Sequence, residues 1–383
     1  MDSRGLVARR CLTRRMVVAA AATALASAWL TRRVAAQAWQ PYAAPAPPAI
    51  SARAAYVYDA TSGTPLFALN EAESMPPASL TKIVSALVVM ERGNLDDVVS
   101  IQADDLVGDD ESRVGLVEGD SLTVRDLLAG MLIPSGSDAA KALARHVGSQ
   151  LPPAPSGDPR DAFIAAMNDE VAMLGLPGSN FENPHGLDGV NHVSTARDLA
   201  LLTARAMQNP VFAQFVATAT MTLPSALNPE GYTIYTTNDL LVDGTAIGVK
   251  TGTTEKGGGC LVTATTVGAN IVIFVVLGAE LTYDENGYPR SPARYADTRL
   301  MISGIAEEYD WLDPVVTPGL PEELAAWSAA LPPGAAVPAP KRRIDEFGYR
   351  LVLGPAANAG DPVGRVMFTV GSEILSERQV LQV

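Results

Sequence analysis

Apolar positions in this chain fall into short runs at both ends of the body and longer, helix-spaced runs between them. Ala55-Tyr56-Val57-Tyr58 and Pro65-Leu66-Phe67-Ala68-Leu69 flank Thr61-Ser62-Gly63-Thr64, which predicts a strand pair around a glycine-bearing turn. Pro76-Pro77-Ala78 then leads into an apolar stretch from Ser79 to Met90, ended by Gly93. It predicts a buried helix beginning at about Ser79. Helical spacing continues over 124–132, 138–147, 161–174 and 195–207, the last with Ser194 as its N-cap. Strands return over 246–250, 260–266 and 270–277, and Gly268-Ala269 joins the last two as an antiparallel hairpin. Strands on both sides of a helical insert predict an α+β domain in which helices cover one antiparallel sheet.

Outside residues 50–312 the pattern changes. Residues 1–38 carry Arg4, Arg9, Arg10, Arg14 and Arg15, an apolar run from Met16 to Leu30, and small residues ending at Ala36-Gln37-Ala38. That is the three-part form of an export signal. The run is short for a bilayer core of about 30 Å, and Arg32 and Arg33 close it off. Cleavage after Ala38 is the expectation, with an uncleaved anchor as the alternative and the one expected contact with a membrane. Thr13-Arg14-Arg15-Met16-Val17-Val18 resembles a twin-arginine signal. Residues 39–49 form a Pro/Ala linker. A second Pro/Ala-rich linker spans 313–340, interrupted by a short helical pattern at 322–330, and 341–383 predicts a small β unit.

The 383 residues are 48% hydrophobic, enough for a full-sized core, and the formal charge of −14 comes without a basic block in the body. Nucleic acid is therefore excluded as a partner. Of two cysteines, Cys11 falls in the signal, which leaves Cys260 in a core-strand pattern as a buried apolar residue rather than a nucleophile. Among three histidines, His146 sits inside a predicted helix, and none is placed for a Ser-His-Asp triad. His185 and His192 lack a carboxylate cluster that would make them a metal pair and read as loop-structuring residues. No metal and no cofactor is expected.

The chemistry lies in three motifs: Ser79-x-x-Lys82, Ser135-Gly136-Ser137 and Lys250-Thr251-Gly252. The ordered set resembles that of β-lactamases and penicillin-binding proteins. A serine hydroxyl needs a base to become a nucleophile, and on a helix Lys82 stands one turn from Ser79 on the same face. A lone S-x-x-K is usually a cap followed by a solvated lysine, but Lys82 lies in a nearly uncharged run where a lysine requires a partner. Burial and a second cation such as Lys250 favour the neutral amine, the form that acts as base. Gly252 lets backbone approach a ligand closely. Lys250 and the hydroxyls of Thr251 and Thr253 suit a carboxylate, and the amides of Ser79 and Thr253 suit an oxyanion.

Residues 50–312 resemble the D-alanyl-D-alanine carboxypeptidases, low-molecular-weight penicillin-binding proteins of the S11 serine peptidase type. Pro77-Ala78-Ser79-Leu80-Thr81-Lys82, the run from Met131 to Ala140, Asn183-Pro184-His185-Gly186-Leu187, Ser194-Thr195-Ala196-Arg197-Asp198-Leu199-Ala200 and Lys250-Thr251-Gly252-Thr253-Thr254 carry the resemblance. It implies an acyl-enzyme cycle on peptidoglycan stem peptides ending in D-Ala-D-Ala, in which Ser79 attacks, Lys82 accepts its proton and Ser135 relays a proton to leaving D-alanine. Lys250, Thr251, Gly252 and Thr253 would bind the substrate, with Arg294 assisting at its carboxylate, and β-lactams would acylate Ser79 as mimics. An exported, periplasmic or cell-envelope location follows from the same reading. One departure is Ser137, where the family places an asparagine able to bond both the lysine and the substrate. The C-terminal unit resembles an abbreviated form of the family's β domain, and the family's membrane-binding helix is not expected after Val383.

Three rivals share these residues. A class A β-lactamase needs a glutamate with an asparagine four positions on, and Glu170, Glu182 and Glu230 all lack it. A peptidoglycan DD-endopeptidase uses the same site in a different groove. A non-catalytic peptidoglycan-binding protein would draw on Ser137 for support, against the retention of Ser79, Lys82, Ser135 and Lys250.

Overall fold

The computed structural model describes residues 40–41, 49–312, 335–353 and 362–381. The expected signal, most of the first Pro/Ala linker and the short helix at 322–330 lie outside the described residues. One compact unit runs from Pro41 to Val383.

Five antiparallel strands form the main sheet of this unit: β1 (Ala54–Asp59), β2 (Thr64–Leu69), β3 (Val249–Thr254), β4 (Gly258–Val267) and β5 (Asn270–Ala279), in the order β2-β1-β5-β4-β3. Side chains alternate between two buried faces. Ala54, Tyr56, Ile273, Val275 and Leu277 face the helical insert, while Ala55, Val57, Val272, Phe274 and Val276 join a second core with Tyr295, Met301 and Ile305. A strand buried on both faces reads as continuous apolar sequence, which is why β5 is the run Ile-Val-Ile-Phe-Val-Val-Leu. The turn at Gly268 has φ +59°, in the left-handed region that suits glycine.

The insert holds α1 (Lys82–Arg92), α2 (Val124–Leu132), α3 (Ser137–Gly148), α4 (Pro159–Met173) and α5 (Ala196–Ala206), and α6 (Ala293–Glu308) covers the opposite face. Several boundaries differ from the sequence reading: the strand expected over 246–250 runs instead from Val249 to Thr254, so the Lys250-Thr251-Gly252 motif lies within it, and two helix starts also shift. A 3-10 turn, Ala78–Thr81, precedes α1, so Ser79 sits just before the α-helix. The N-cap of α5 is Thr195, whose hydroxyl accepts from Asp198 N at 3.0 Å, and not Ser194. Ser194 is instead drawn into backbone pairing with Met75 and a 2.8 Å hydroxyl bond to Ser179.

Beyond α6 the chain continues as β6 (Tyr309–Leu312), which pairs with β7 (Val337–Pro340), so the end of the expected second linker is a strand. A meander of β8 (Phe347–Leu353), β9 (Pro362–Val370) and β10 (Glu373–Leu381) follows. It joins the main sheet through Ser376 Oγ, which donates to Ser62 O at 2.6 Å. Among the described residues, no helix is long and apolar enough to cross a membrane.

Candidate active site

The three motifs meet at one end of the sheet, although 56 and 115 positions separate their first residues in sequence order (Ser79, Ser135, Lys250). Lys82, on the first turn of α1, is fully buried and directs its amine at three oxygens: Ser79 Oγ at 3.0 Å, His185 O at 2.6 Å and Ser137 Oγ at 3.4 Å. Burial holds its pKa at about 7, below the ordinary 10.5, with Glu111 and Asp138 partly opposing that effect. A neutral amine has two protons and one lone pair. With the protons on His185 O and Ser137 Oγ, the lone pair faces the Ser79 hydroxyl.

Local structure fixes each partner. Asn183 Oδ1 accepts from His185 N and Gly186 N, and Ser85 Oγ on α1 donates to Pro184 O at 2.7 Å, so the Asn183–Leu187 loop presents the His185 carbonyl to Lys82. Gly186 has φ +97°, and an added Cβ there would stand 2.1 Å from Ala78 O and 2.8 Å from Ser79 N. Only glycine allows that approach. From the other side Gly252 of β3 crowds the same amide, since a Cβ would lie 3.0 Å from Ser79 N.

Ser135 precedes α3 with φ +67°, and its hydroxyl is buried with no hydrogen-bond partner among the described residues. The carboxylate of Asp138 on α3 accepts from Val114 N, Gly115 N and Leu116 N, and Ser137 N donates to Ser112 O at 2.8 Å. The second motif thereby anchors the 109–116 loop, which forms one lip of the cleft. Lys250 is buried on β3, pushed well below its ordinary pKa by burial first and then by the charges of Lys82 and Arg294. Arg294 of α6 donates from Nη1 to Gly252 O at 2.8 Å and to Thr253 Oγ1 at 2.7 Å, and Thr251 Oγ1 meets Thr237 Oγ1 at 2.5 Å. These groups border a cleft of about 800 Å³ that Ser79, Ser135, Thr251, Gly252, Thr253 and Arg294 line together.

All eight residues singled out from sequence converge here: Ser79, Lys82, Ser135, Ser137, Lys250, Thr251, Gly252 and Thr253. Sequence reasoning missed Glu111, Thr237 and the main-chain oxygen of His185. A backbone acceptor leaves no side-chain signature, and the Asp109-Asp110-Glu111 run reads as solvated charge. His192 organises the loop as expected: Nδ1 accepts from Glu182 N at 2.9 Å and Nε2 meets Thr81 Oγ1 at 2.8 Å, with burial lowering its pKa to about 4. Since the Thr81 hydroxyl donates to Ala78 O, the imidazole proton belongs on Nε2. Among the described residues, no group of three or more His, Cys, Asp or Glu is placed to hold a metal ion.

A sheet flanked by helices, with a buried S-x-x-K pair facing a K-T-G strand, defines the penicillin-binding class of serine peptidase folds. A family model described as D-alanyl-D-alanine carboxypeptidase, peptidase type S11, matches residues 41–281, and the chain belongs to that family. It is 36% identical over 250 residues to D-alanyl-D-alanine carboxypeptidase DacD of Salmonella typhimurium, covering 62% of this chain and 60% of that protein. To the D-alanyl-D-alanine carboxypeptidase of Streptomyces sp. strain K15 it is 35% identical over 270 residues, covering 68% and 89%. The solved Streptomyces K15 DD-transpeptidase superposes with a TM-score of 0.60 at 34% identity, over 68% of this chain and all of that one.

Proposed function

We propose that this protein is an exported serine-type carboxypeptidase that removes the terminal D-alanine from peptidoglycan stem peptides through an acyl-enzyme on Ser79. The observation that carries the reading is the buried Lys82 amine, 3.0 Å from Ser79 Oγ with its pKa at about 7. A base with a pKa near the working pH is the effective one.

In this cycle the substrate carboxylate lies against Lys250, Thr251, Thr253 and Arg294, which places the D-Ala-D-Ala bond at Ser79. Ser79 Oγ attacks the carbonyl carbon as Lys82 takes the hydroxyl proton. The amides of Ser79 and Thr253 receive the oxyanion, and the close approach of Gly252 to Ser79 N brings the two backbones together. The proton on Lys82 passes through Ser135 to the leaving nitrogen, and D-alanine departs. Water then attacks the ester, with Lys82 as base again, and Ser79 is restored. β-Lactams acylate Ser79 by the same attack. Ser137, at 3.4 Å from Lys82, supplies one hydroxyl where the family's asparagine supplies an amide.

The test is D-alanine release from a peptide ending in L-Lys-D-Ala-D-Ala, with Ser79→Ala as control. Release that vanishes in the variant is the expected result. A relative from Pseudomonas aeruginosa, 32% identical over 238 residues, is named D-alanyl-D-alanine endopeptidase. Cleavage of a cross-linked dimer, without release from the linear peptide, would move the assignment there. Absence of both, together with failure of a fluorescent penicillin to label folded protein, would leave a binding role.

A further inference from the structure

The cleft does not end at the residues that suit a terminal carboxylate. From Ser79 its wall runs back along β3: Gly252 packs on Ser79 N, Thr251 precedes it in the strand, and Thr251 Oγ1 meets Thr237 Oγ1 at 2.5 Å. Thr237 O in turn accepts from Tyr295 Oη at 2.8 Å, and the Tyr295 ring lies 5.0 Å from the Arg294 guanidinium. Thr237 therefore belongs to the cationic end of the groove, one step further from Ser79 than Thr251 along this path. Two residues on, Asp239 opens the single-turn helix Asp239–Val242; it is exposed and lines the same cleft.

Two observations mark this end of the cleft as incomplete. Arg294 gives Nη1 to Gly252 O and Thr253 Oγ1, but its Nε is buried with no partner among the described residues. Buried polar atoms are normally satisfied. Among the described residues no cation pairs with Asp239 either, although Asp243, one turn on, is paired with Arg299. A carboxylate in the first turn commonly offsets a helix dipole, but a helix of four residues has little dipole to offset, so that role does not account for Asp239. A ligand that satisfies this end carries two charges, an anion for Arg294 and Thr251 and a cation for Asp239.

We propose that Asp239 selects the leaving residue, favouring peptides that end in D-Ala followed by a D-amino acid with a protonated side-chain amine. The inference rests on the carboxypeptidase reading, which sets the carboxylate of the leaving residue at Thr251 and Arg294. The side chain of that same residue is then the part of the peptide closest to Thr237 and Asp239. In D-alanine it is a methyl group, whereas a D-lysine carries its ammonium on a flexible four-carbon stem and is protonated at neutral pH. The chemistry of the step is unchanged: the same peptide bond breaks, the leaving nitrogen takes the proton, and only the amino acid released differs. Both kinds of peptide leave an identical acyl-enzyme on Ser79, so the discrimination lies in binding and acylation and is read in kcat/KM.

The test uses the full chain and three peptides with one common acyl side. One ends in D-Ala-D-Ala; the other two end in D-Ala-D-Lys, with the side-chain amine of the terminal residue either free or acetylated. The readout is the ratio of kcat/KM for release of the terminal residue from the two D-Lys peptides. The wild type is expected to favour the free amine by about threefold, the scale of a partly screened ion pair. Asp239→Asn is expected to bring the ratio close to one, Asp239→Lys to reverse it, and added salt to shrink it in the wild type. The salt dependence needs no variant, so the test stands if a variant fails to fold. Equal kcat/KM on the two D-Lys peptides in the wild type, an unchanged ratio in Asp239→Asn, or cleavage of the D-Ala-D-Ala peptide alone overturns the inference and leaves the carboxypeptidase reading in place. No release from any of the three by folded wild type overturns the carboxypeptidase reading and the inference with it.

Discussion

At the scale of single residues, the site is an arrangement for bringing the pKa of one lysine down to about 7. Lys82 has no carboxylate in hydrogen-bond contact among the described residues, and its burial outweighs the opposing fields of Glu111 and Asp138. The amine is an ammonium below its pKa of about 7 and a base above it. The second-order rate of acylation by a fluorescent penicillin should therefore be flat above neutrality and fall roughly tenfold per pH unit below it. Stopped-flow or gel measurements on both sides of that pKa check this; a rate independent of pH across about 7 would remove Lys82 as the base. Ser79, Lys82, Ser135 and Lys250 were legible in the sequence because each stands in a motif of fixed spacing. Glu111 was not, because its place opposite His185 depends on where Asp138 pins the backbone of residues 114–116.

At the scale of elements, two glycines from different parts of the chain press on the Ser79 amide, Gly186 from a loop and Gly252 from β3. Gly186→Ala adds a Cβ that clashes with Ala78 O and forces a left-handed backbone on alanine. The expected cost is about 2 kcal/mol or more in urea denaturation, with slower penicillin acylation. Full stability and rate would show that the loop can retreat without moving Ser79. Strands and helices were largely legible from apolar spacing, and the errors have local causes. Ser194 and Thr195 are both good caps, and tertiary pairing with Met75 decides between them. Val337-Pro338-Ala339-Pro340 reads as linker because of its prolines, yet proline is tolerated on an edge strand. Among the described residues this strand pairs with β6 alone.

At the scale of the whole molecule, the end of the main sheet away from the cleft ties in the C-terminal segments. Asn270, the first residue of β5, donates to Asp59 Oδ2 at 2.7 Å and to Ala336 O at 2.8 Å, and accepts from Ala336 N at 2.8 Å. Trp311 Nε1 donates to the same Asp59 oxygen at 2.7 Å. Asn270 sits at the far end of a ten-residue strand, roughly 30 Å long by the usual rise per residue. Asn270→Ala leaves buried partners unsatisfied and should cost about 2–3 kcal/mol of stability without altering the penicillin acylation rate at a temperature where the variant is folded. A loss of rate matching the loss of stability would show the two ends of the sheet to be coupled. The sheet also contains its own clock. Cys260 opposes Gly252 in the ladder between β4 and β3, and burial raises its thiol to about 11. Such a thiol, packed in the core between Pro76 O and Gly257 O, stays silent toward a disulfide reagent until the packing around β4 opens. In a chain with Cys11→Ser, the rate of thiol capture counts these openings one by one, and an occupied cleft should lengthen the interval between them.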